Sequence, residues 1–112
     1  MCRLYRESII LNREINRKII EIIHKIKEIL KPNKIILFGS FSRGDYNEYS
    51  DVDLVIVGNF KESFFDRIGI ILDLNDSDLD IEPLVYTNEE FKMMMKNENR
   101  FILHVLEEGI EL

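Results

Sequence analysis

The sequence lacks the features that mark most secreted and membrane proteins. Cys2 is the only cysteine among 112 residues, which excludes a disulfide within the chain and a zinc site built from cysteines. No stretch approaches the ~18 apolar residues of a membrane span, and the N-terminus has neither the apolar core nor the cleavage site of a signal peptide. We therefore expect a cytoplasmic protein with a single domain over residues 1–112.

An excess of basic residues is also missing. The chain has 21 acidic and 15 basic side chains and a formal net charge of -6. Because a nucleic-acid backbone is held mainly by a basic surface, this balance argues against direct nucleic-acid binding. A local basic pocket for a single nucleotide is still compatible with this net charge.

Hydrophobic periodicity predicts alternating helices and strands. Isoleucines at helical spacing over residues 15–30 predict a first helix that ends before Pro32. Apolar runs predict three strands, at residues 34–38, 51–57 and 79–86, with Pro83 confining the third to an edge or a bulge. Further helices are expected at about residues 61–73, after a capping box at Thr87, and up to Gly109. The order predicts an α/β (α+β) fold, a small mixed β-sheet flanked by helices.

The first candidate binding residues lie where a strand gives way to a helix. Gly39 and Ser40 stand at this junction, and a helix N-terminus there offers amide hydrogens and partial positive charge to a phosphate. Arg43 lies within one turn and can add a full positive charge. Taken alone, Gly-Ser is more simply explained as a capped turn.

The second candidate feature is a pair of carboxylates at the start of the central strand. Asp51 and Asp53 are two apart, so both point to the same face of the strand. Two carboxylates at one point repel each other unless cations neutralise them, and Mg²⁺ is typically held by one or two carboxylates. A solvated acidic turn is the alternative for an isolated pair of this kind.

A third acid is expected at the start of the next strand. Asp80 can reach the same end of the sheet as the first two aspartates, and Glu82, on the same face, is its competitor. From the residues alone, either one could equally be an ordinary surface acid.

Gly39-Ser40, ten further residues and then Asp51-x-Asp53 together resemble the signature of the DNA polymerase beta-like nucleotidyltransferase superfamily. The resemblance is closest to its minimal nucleotidyltransferases, the MNT proteins. Ser50 and Arg43 followed by glycine also fit the family pattern. The combined motif covers about a sixth of the chain and is specific.

The resemblance implies roles for these residues. Asp51 and Asp53 would bind two Mg²⁺ ions together with the triphosphate, while Asp80 would complete the metal site and help to deprotonate the acceptor. The family pattern at the third strand favours Asp80 over Glu82. The Gly39-Ser40 turn and Arg43 would grip the β- and γ-phosphates.

The resemblance also implies a partner. MNT proteins typically pair with a HEPN toxin, generally an RNase, in a toxin-antitoxin system. The expected activity is therefore transfer of AMP from ATP to a tyrosine of that toxin. Two alternatives stay open: an antitoxin that masks its toxin without catalysis, and a nucleotidyltransferase that modifies a small molecule at the interface of a homo-oligomer.

Overall fold

A long amphipathic helix covers one side of the sheet. The computed structural model describes residues 13–47 and 50–112, so the prediction that concerns Cys2 lies outside the described residues. Helix α1 (Arg13–Leu30) buries an isoleucine stripe of Ile19, Ile22, Ile23 and Ile26. It ends just before Pro32, as the sequence predicts.

The rest of the described chain alternates between strands and helices. The elements are β1 (Lys34–Phe38), α2 (Ser40–Arg43), β2 (Val52–Gly58), α3 (Phe64–Leu74), β3 (Ile81–Thr87), α4 (Asn88–Lys96), α5 (Arg100–Glu108) and β4 (Ile110–Glu111). In the described ranges no helix is both long and apolar enough to cross a membrane.

The strands form one mixed sheet in the order β3-β2-β1-β4. Strand β1 is antiparallel to both β2 and β4, whereas β2 and β3 are parallel and connected through α3. The predicted mixed sheet flanked by helices is thus confirmed, and Pro83 does lie on an edge strand. Strand β4 was not predicted, because two residues carry no recognisable alternation.

The central strand β2 is covered on both faces, as its continuous apolar run predicts. Leu54 and Ile56 pack into the core beneath α1 and α3, while Val55 and Val57 pack on the opposite face with Val105 of α5. All four side chains are almost fully buried. The acidic residues at the start of this strand are therefore carried by the most rigid part of the sheet.

A buried arginine connects α3 to the start of α4. Arg67 is only 7% exposed, and it donates to the Val85 carbonyl at 3.1 Å and to the Glu90 carboxylate at 2.7 Å. Glu90 also closes the predicted capping box, because its carboxylate accepts the Thr87 amide while the Thr87 hydroxyl accepts the Glu90 amide. The Glu90 carboxylate thus holds both the buried Arg67 guanidinium and the first turn of α4 in place.

We expect Glu90→Gln to destabilise the fold by about 1–2 kcal/mol near neutral pH. Burial raises the pKa of Glu90, but hydrogen bonds from Thr87 and Arg67 outweigh it and hold that pKa below its ordinary value. A lowered pKa stabilises the fold above the unfolded-state pKa, and this contribution disappears as pH falls through the folded-state pKa.

The measurement is urea unfolding of both proteins at about pH 7 and about pH 3. The difference in unfolding free energy should shrink towards zero at the lower pH. Glu89→Gln, one position earlier on the same helix and exposed, is the matched control and should unfold like the parent. An equal loss of stability at both pH values would contradict the assignment.

Candidate active site

The Gly39–Arg43 turn, which consists of Gly39 and the single-turn helix α2, begins in a conformation that requires glycine. Gly39 has a φ of 76° and caps the N-terminus of α2, and a Cβ at this position would collide with the Asp53 carboxylate. The Ser42 hydroxyl and the Arg43 amide both donate to the Gly39 carbonyl, at 2.8 and 3.1 Å. The glycine therefore allows the Gly39–Arg43 turn to press directly against the acid at the start of β2.

Ser40 is the first residue of α2 rather than its cap. Its side chain makes no capping hydrogen bond, and its carbonyl accepts the amides of Gly44 and Asp45. Ser40 is therefore not the cap of α2, and donation by its hydroxyl to a phosphate stays a prediction.

Arg43 points back across the turn towards acidic side chains. Its Nε donates to Asp45 at 3.2 Å and its Nη1 donates to Glu108 of α5 at 3.1 Å. The side chain is 48% exposed. A guanidinium has five hydrogens to donate, so the described contacts leave three for an incoming anion.

Asp53 meets Glu82 on the neighbouring strand. The register of the parallel pair places these two residues side by side, close enough for each carboxyl group to shift the pKa of the other. Asp51 lies close enough to raise the pKa of both. Three acidic side chains from β2, the residue before it, and β3 thus converge at one end of the sheet.

This convergence shifts the ionisation of the acids. Burial raises the pKa of Asp53 above its ordinary value, and the charge of Asp51 raises it further, against the hydrogen bond from Glu82. The hydrogen bond with Asp53 raises the pKa of Glu82, and the charge of Asp51 adds to this. Asp53 and Glu82 therefore each release a proton less readily than an isolated carboxyl would.

Asp80 lies just before β3, and its described contact is made by its backbone. Its carbonyl accepts the Val52 amide at 2.8 Å. The structure brings Glu82, not Asp80, into contact with Asp53. The contacts therefore favour Glu82 as the third acid, and a metal-binding or catalytic role for Asp80 stays a prediction.

The donor set fits a hard divalent cation that is shared with a substrate. Within residues 13–47 and 50–112, no three His, Cys, Asp or Glu side chains are arranged to hold a metal ion by themselves. Mg²⁺ usually takes only one or two carboxylates and fills its remaining positions with water and substrate phosphates. Asp51 and Asp53 supply such a pair, and the crowding of their charges is what a cation would relieve.

An apolar groove opens beside the acids. It has a volume of about 530 Å³, and Asp53 and Glu82 lie at its edge. Apart from these carboxylates its lining is apolar, with the largest side chains contributed by β1, α3, β3 and α5: Phe38, Ile68, Leu72, Leu84 and Phe101. Leu72 and Phe101 are exposed, so the groove can receive a side chain from outside.

A sequence model of the family described as "Nucleotidyltransferase domain" matches residues 17–110 of the chain. The chain belongs to this family. The Gly39–Arg43 turn and the acidic residues at the start of β2 both lie within the matched range. The fold and the family predicted from the Gly39-Ser40 and Asp51-x-Asp53 motif are thereby confirmed.

Two relatives of this nucleotidyltransferase are proteins of Methanocaldococcus jannaschii, each described as a candidate protein adenylyltransferase. One is 38% identical over 79 residues, which cover 62% of this chain and 80% of the relative. The other is 69% identical over 26 residues, which cover 23% of this chain and 26% of the relative. The second match thus spans about a quarter of that protein's length.

A solved structure shows the same fold. The crystal structure of a candidate nucleotidyltransferase from Sulfolobus solfataricus superimposes with a TM-score of 0.56 and 23% identity, covering 83% of this chain and 82% of the other. At this identity the likeness supports the architecture and not the substrate.

Two residues of this site were not assigned from the sequence. Glu82 was the competitor to Asp80, and only the register between β2 and β3 separates them. Glu108 lies 69 positions after Gly39, whose amide donates to it at 3.0 Å. The sequence carries no local signal for the contact between Glu108 and Gly39, because this contact depends on where α5 docks.

Proposed function

We propose that this nucleotidyltransferase is a protein adenylyltransferase. It transfers AMP from ATP to a tyrosine hydroxyl of a partner protein, a HEPN-type toxin, and so acts as the antitoxin of a toxin-antitoxin pair. The observation that carries the proposal is the spatial order of the site across the sheet. The strand order β3-β2-β1 sets Glu82, Asp53 and the Gly39–Arg43 turn in a row.

That row suits an in-line displacement at phosphorus. The turn on the β1 side offers Ser40 and Arg43 to the β- and γ-phosphates, which leave as pyrophosphate. The acceptor must then approach from the opposite side, over β3, where Glu82 lies. The acceptor oxygen forms a bond to the α-phosphorus as the bond to pyrophosphate breaks, and its proton passes to the Glu82 carboxylate.

Mg²⁺, two ions by resemblance, would be held by Asp51 and Asp53 together with the triphosphate. Bound there, it supplies positive charge that stabilises the attacking and leaving oxygens. It would also favour the ionised forms of the crowded acids, which leaves Glu82 free to accept a proton.

The groove beside Glu82 supports an aromatic acceptor. Its walls are apolar and its only charged groups are carboxylates, so it suits an uncharged ring better than a phosphate. A tyrosine presented by another protein would place its ring against Leu72 and Phe101 and its hydroxyl towards Glu82. The names of the two M. jannaschii relatives also assign protein adenylyltransferase activity to those proteins.

The experiment is intact mass spectrometry of a candidate HEPN partner after incubation with this protein, ATP and Mg²⁺. We expect the partner to gain whole AMP units, and we expect no gain when its acceptor tyrosine is replaced by phenylalanine. A stable complex without any gain would instead indicate a masking antitoxin. Neither a gain nor a complex would direct the search to small-molecule acceptors.

A further inference from the structure

The last residue of α5 holds the Gly39–Arg43 turn from the far end of the chain. One carboxylate oxygen of Glu108 accepts both the Gly39 amide, at 3.0 Å, and the Arg43 Nη1, at 3.1 Å. Its other oxygen lies 3.1 Å from Nε2 of His104. The carboxylate is only 16% exposed, whereas His104 is 64% exposed. Glu108 is thus a largely buried acceptor aimed at the turn, and His104 is a peripheral neighbour.

This location is costly for a carboxylate. Asp51, Asp53 and Glu82 already concentrate negative charge at this end of the sheet, and Glu108 is close enough to Asp53 to disfavour its ionised form. A fourth acid increases the repulsion. The charge-assisted hydrogen bonds that Glu108 accepts from the Gly39–Arg43 turn offset this repulsion.

Of the two residues that Glu108 holds, Arg43 is one that the proposed function assigns to phosphate binding, and Gly39 directly precedes the other, Ser40. The Arg43 side chain is half exposed and carries several rotatable bonds, and without Glu108 only Asp45, two residues away, would restrain it. The Glu108 contact fixes one edge of the guanidinium and leaves other hydrogens to face the ligand. The same oxygen fixes the amide of Gly39, which lies against Asp53.

We infer that Glu108 is a positioning residue for the triphosphate: it orients Arg43 and the Gly39–Ser40 turn so that ATP meets a preformed site. This rests on the proposed function, which places the β- and γ-phosphates at that turn. Glu108 would act through Gly39 and Arg43, so its role is to position these two residues. Preorganisation of this kind strengthens binding by reducing the ordering that the ligand must impose.

The test is calorimetric binding of a non-hydrolysable ATP analogue with Mg²⁺ to the full chain, which needs no acceptor. We expect Glu108→Ala to raise the Kd about tenfold. Glu108→Gln keeps an oxygen that accepts both hydrogen bonds, so its Kd should stay within about threefold of the parent. His104→Ala removes the exposed neighbour alone and is the matched control, with an unchanged Kd.

A double-mutant cycle shows whether Glu108 acts through Arg43. If it does, Glu108→Ala in the Arg43→Ala background should add little to the loss caused by Arg43→Ala alone. Thermal melts of every variant confirm that the fold is retained, and Glu108→Gln remains informative should Glu108→Ala unfold.

A lower Kd in Glu108→Ala than in the parent would overturn the inference. If Glu108→Ala binds the analogue more tightly than the parent, then the carboxylate occupies a phosphate position and competes with ATP. An unchanged Kd in Glu108→Ala would restrict the residue to a structural role. Absence of binding by the parent itself would instead reject the proposed function, so the two failures are distinguishable.

Discussion

Asp53→Asn is expected to reduce nucleotide transfer by about 10²–10³-fold. Asparagine keeps the size and one acceptor oxygen of aspartate but removes the charge that attracts a divalent cation. Asp53 lies in the middle of the row formed by Glu82, Asp53 and the Gly39–Arg43 turn. A cation that is no longer held there can therefore act on neither the acceptor nor the triphosphate.

The same substitution should leave stability unchanged or improve it. Burial and the Asp51 charge raise the pKa of Asp53, which means that its ionised form is less favourable in the folded protein than in the unfolded chain. Neutral asparagine removes this cost at neutral pH. An inactive variant with an equal or higher Tm is therefore the expected signature of a residue retained for chemistry rather than for folding.

The comparison needs transfer rates at saturating Mg²⁺ and thermal melts of the same preparations. Asp73→Asn, in the exposed part of α3, makes the same chemical change away from the site and should match the parent in both measurements. Near-normal transfer by Asp53→Asn would mean that the metal is held elsewhere. A Tm that collapses would mean that Asp53 has a structural role instead.

The second large effect separates Glu82 from Asp80. Glu82→Gln is expected to slow transfer by about 100-fold or more, because it removes the carboxylate that faces both Asp53 and the acceptor side of the groove. Asp80→Asn should stay within about twofold of the parent, since the contact that the structure describes for Asp80 is made by its backbone carbonyl.

The two variants form a matched pair, because each neutralises one carboxylate and they lie two positions apart. Transfer rates measured across a Mg²⁺ titration give the comparison. If Asp80→Asn loses more activity than Glu82→Gln, then the assignment implied by the family pattern holds and the contact between Glu82 and Asp53 is incidental. Equal and large losses would indicate that both acids are needed.

The parts of the structure that follow from short-range pattern could be predicted from the sequence. The isoleucine spacing of α1, the apolar run of β2 and the capping box at Thr87 each depend on residues within one element or one turn. The family resemblance implied that the Gly39–Arg43 turn and Asp53 act on the same triphosphate, but the pairing of β1 with β2 that brings them together was not predicted.

The third acid could not be chosen in this way. Asp80 and Glu82 lie on the same face of an extended chain, so alternation cannot distinguish them. The choice depends on the register between β2 and β3. That register is set by contacts made through α3 and by the burial of Pro83 and Val85. Glu108 is a harder case, since its contact requires α5 to be docked on the sheet.

The docking of α5 on the sheet determines when, during folding, the protein becomes able to bind ATP firmly. The hydrogen bonds from Gly39 and Arg43 to Glu108 span 69 and 65 positions of the chain, and β4, immediately after α5, pairs with β1. Contacts of such long sequence separation generally form late in folding. A chain emerging from the ribosome would therefore pair β2 with β1 and β3 before its triphosphate site was locked. ATP would then be bound firmly only by molecules that had finished folding, which makes nucleotide affinity a measure of folding completeness.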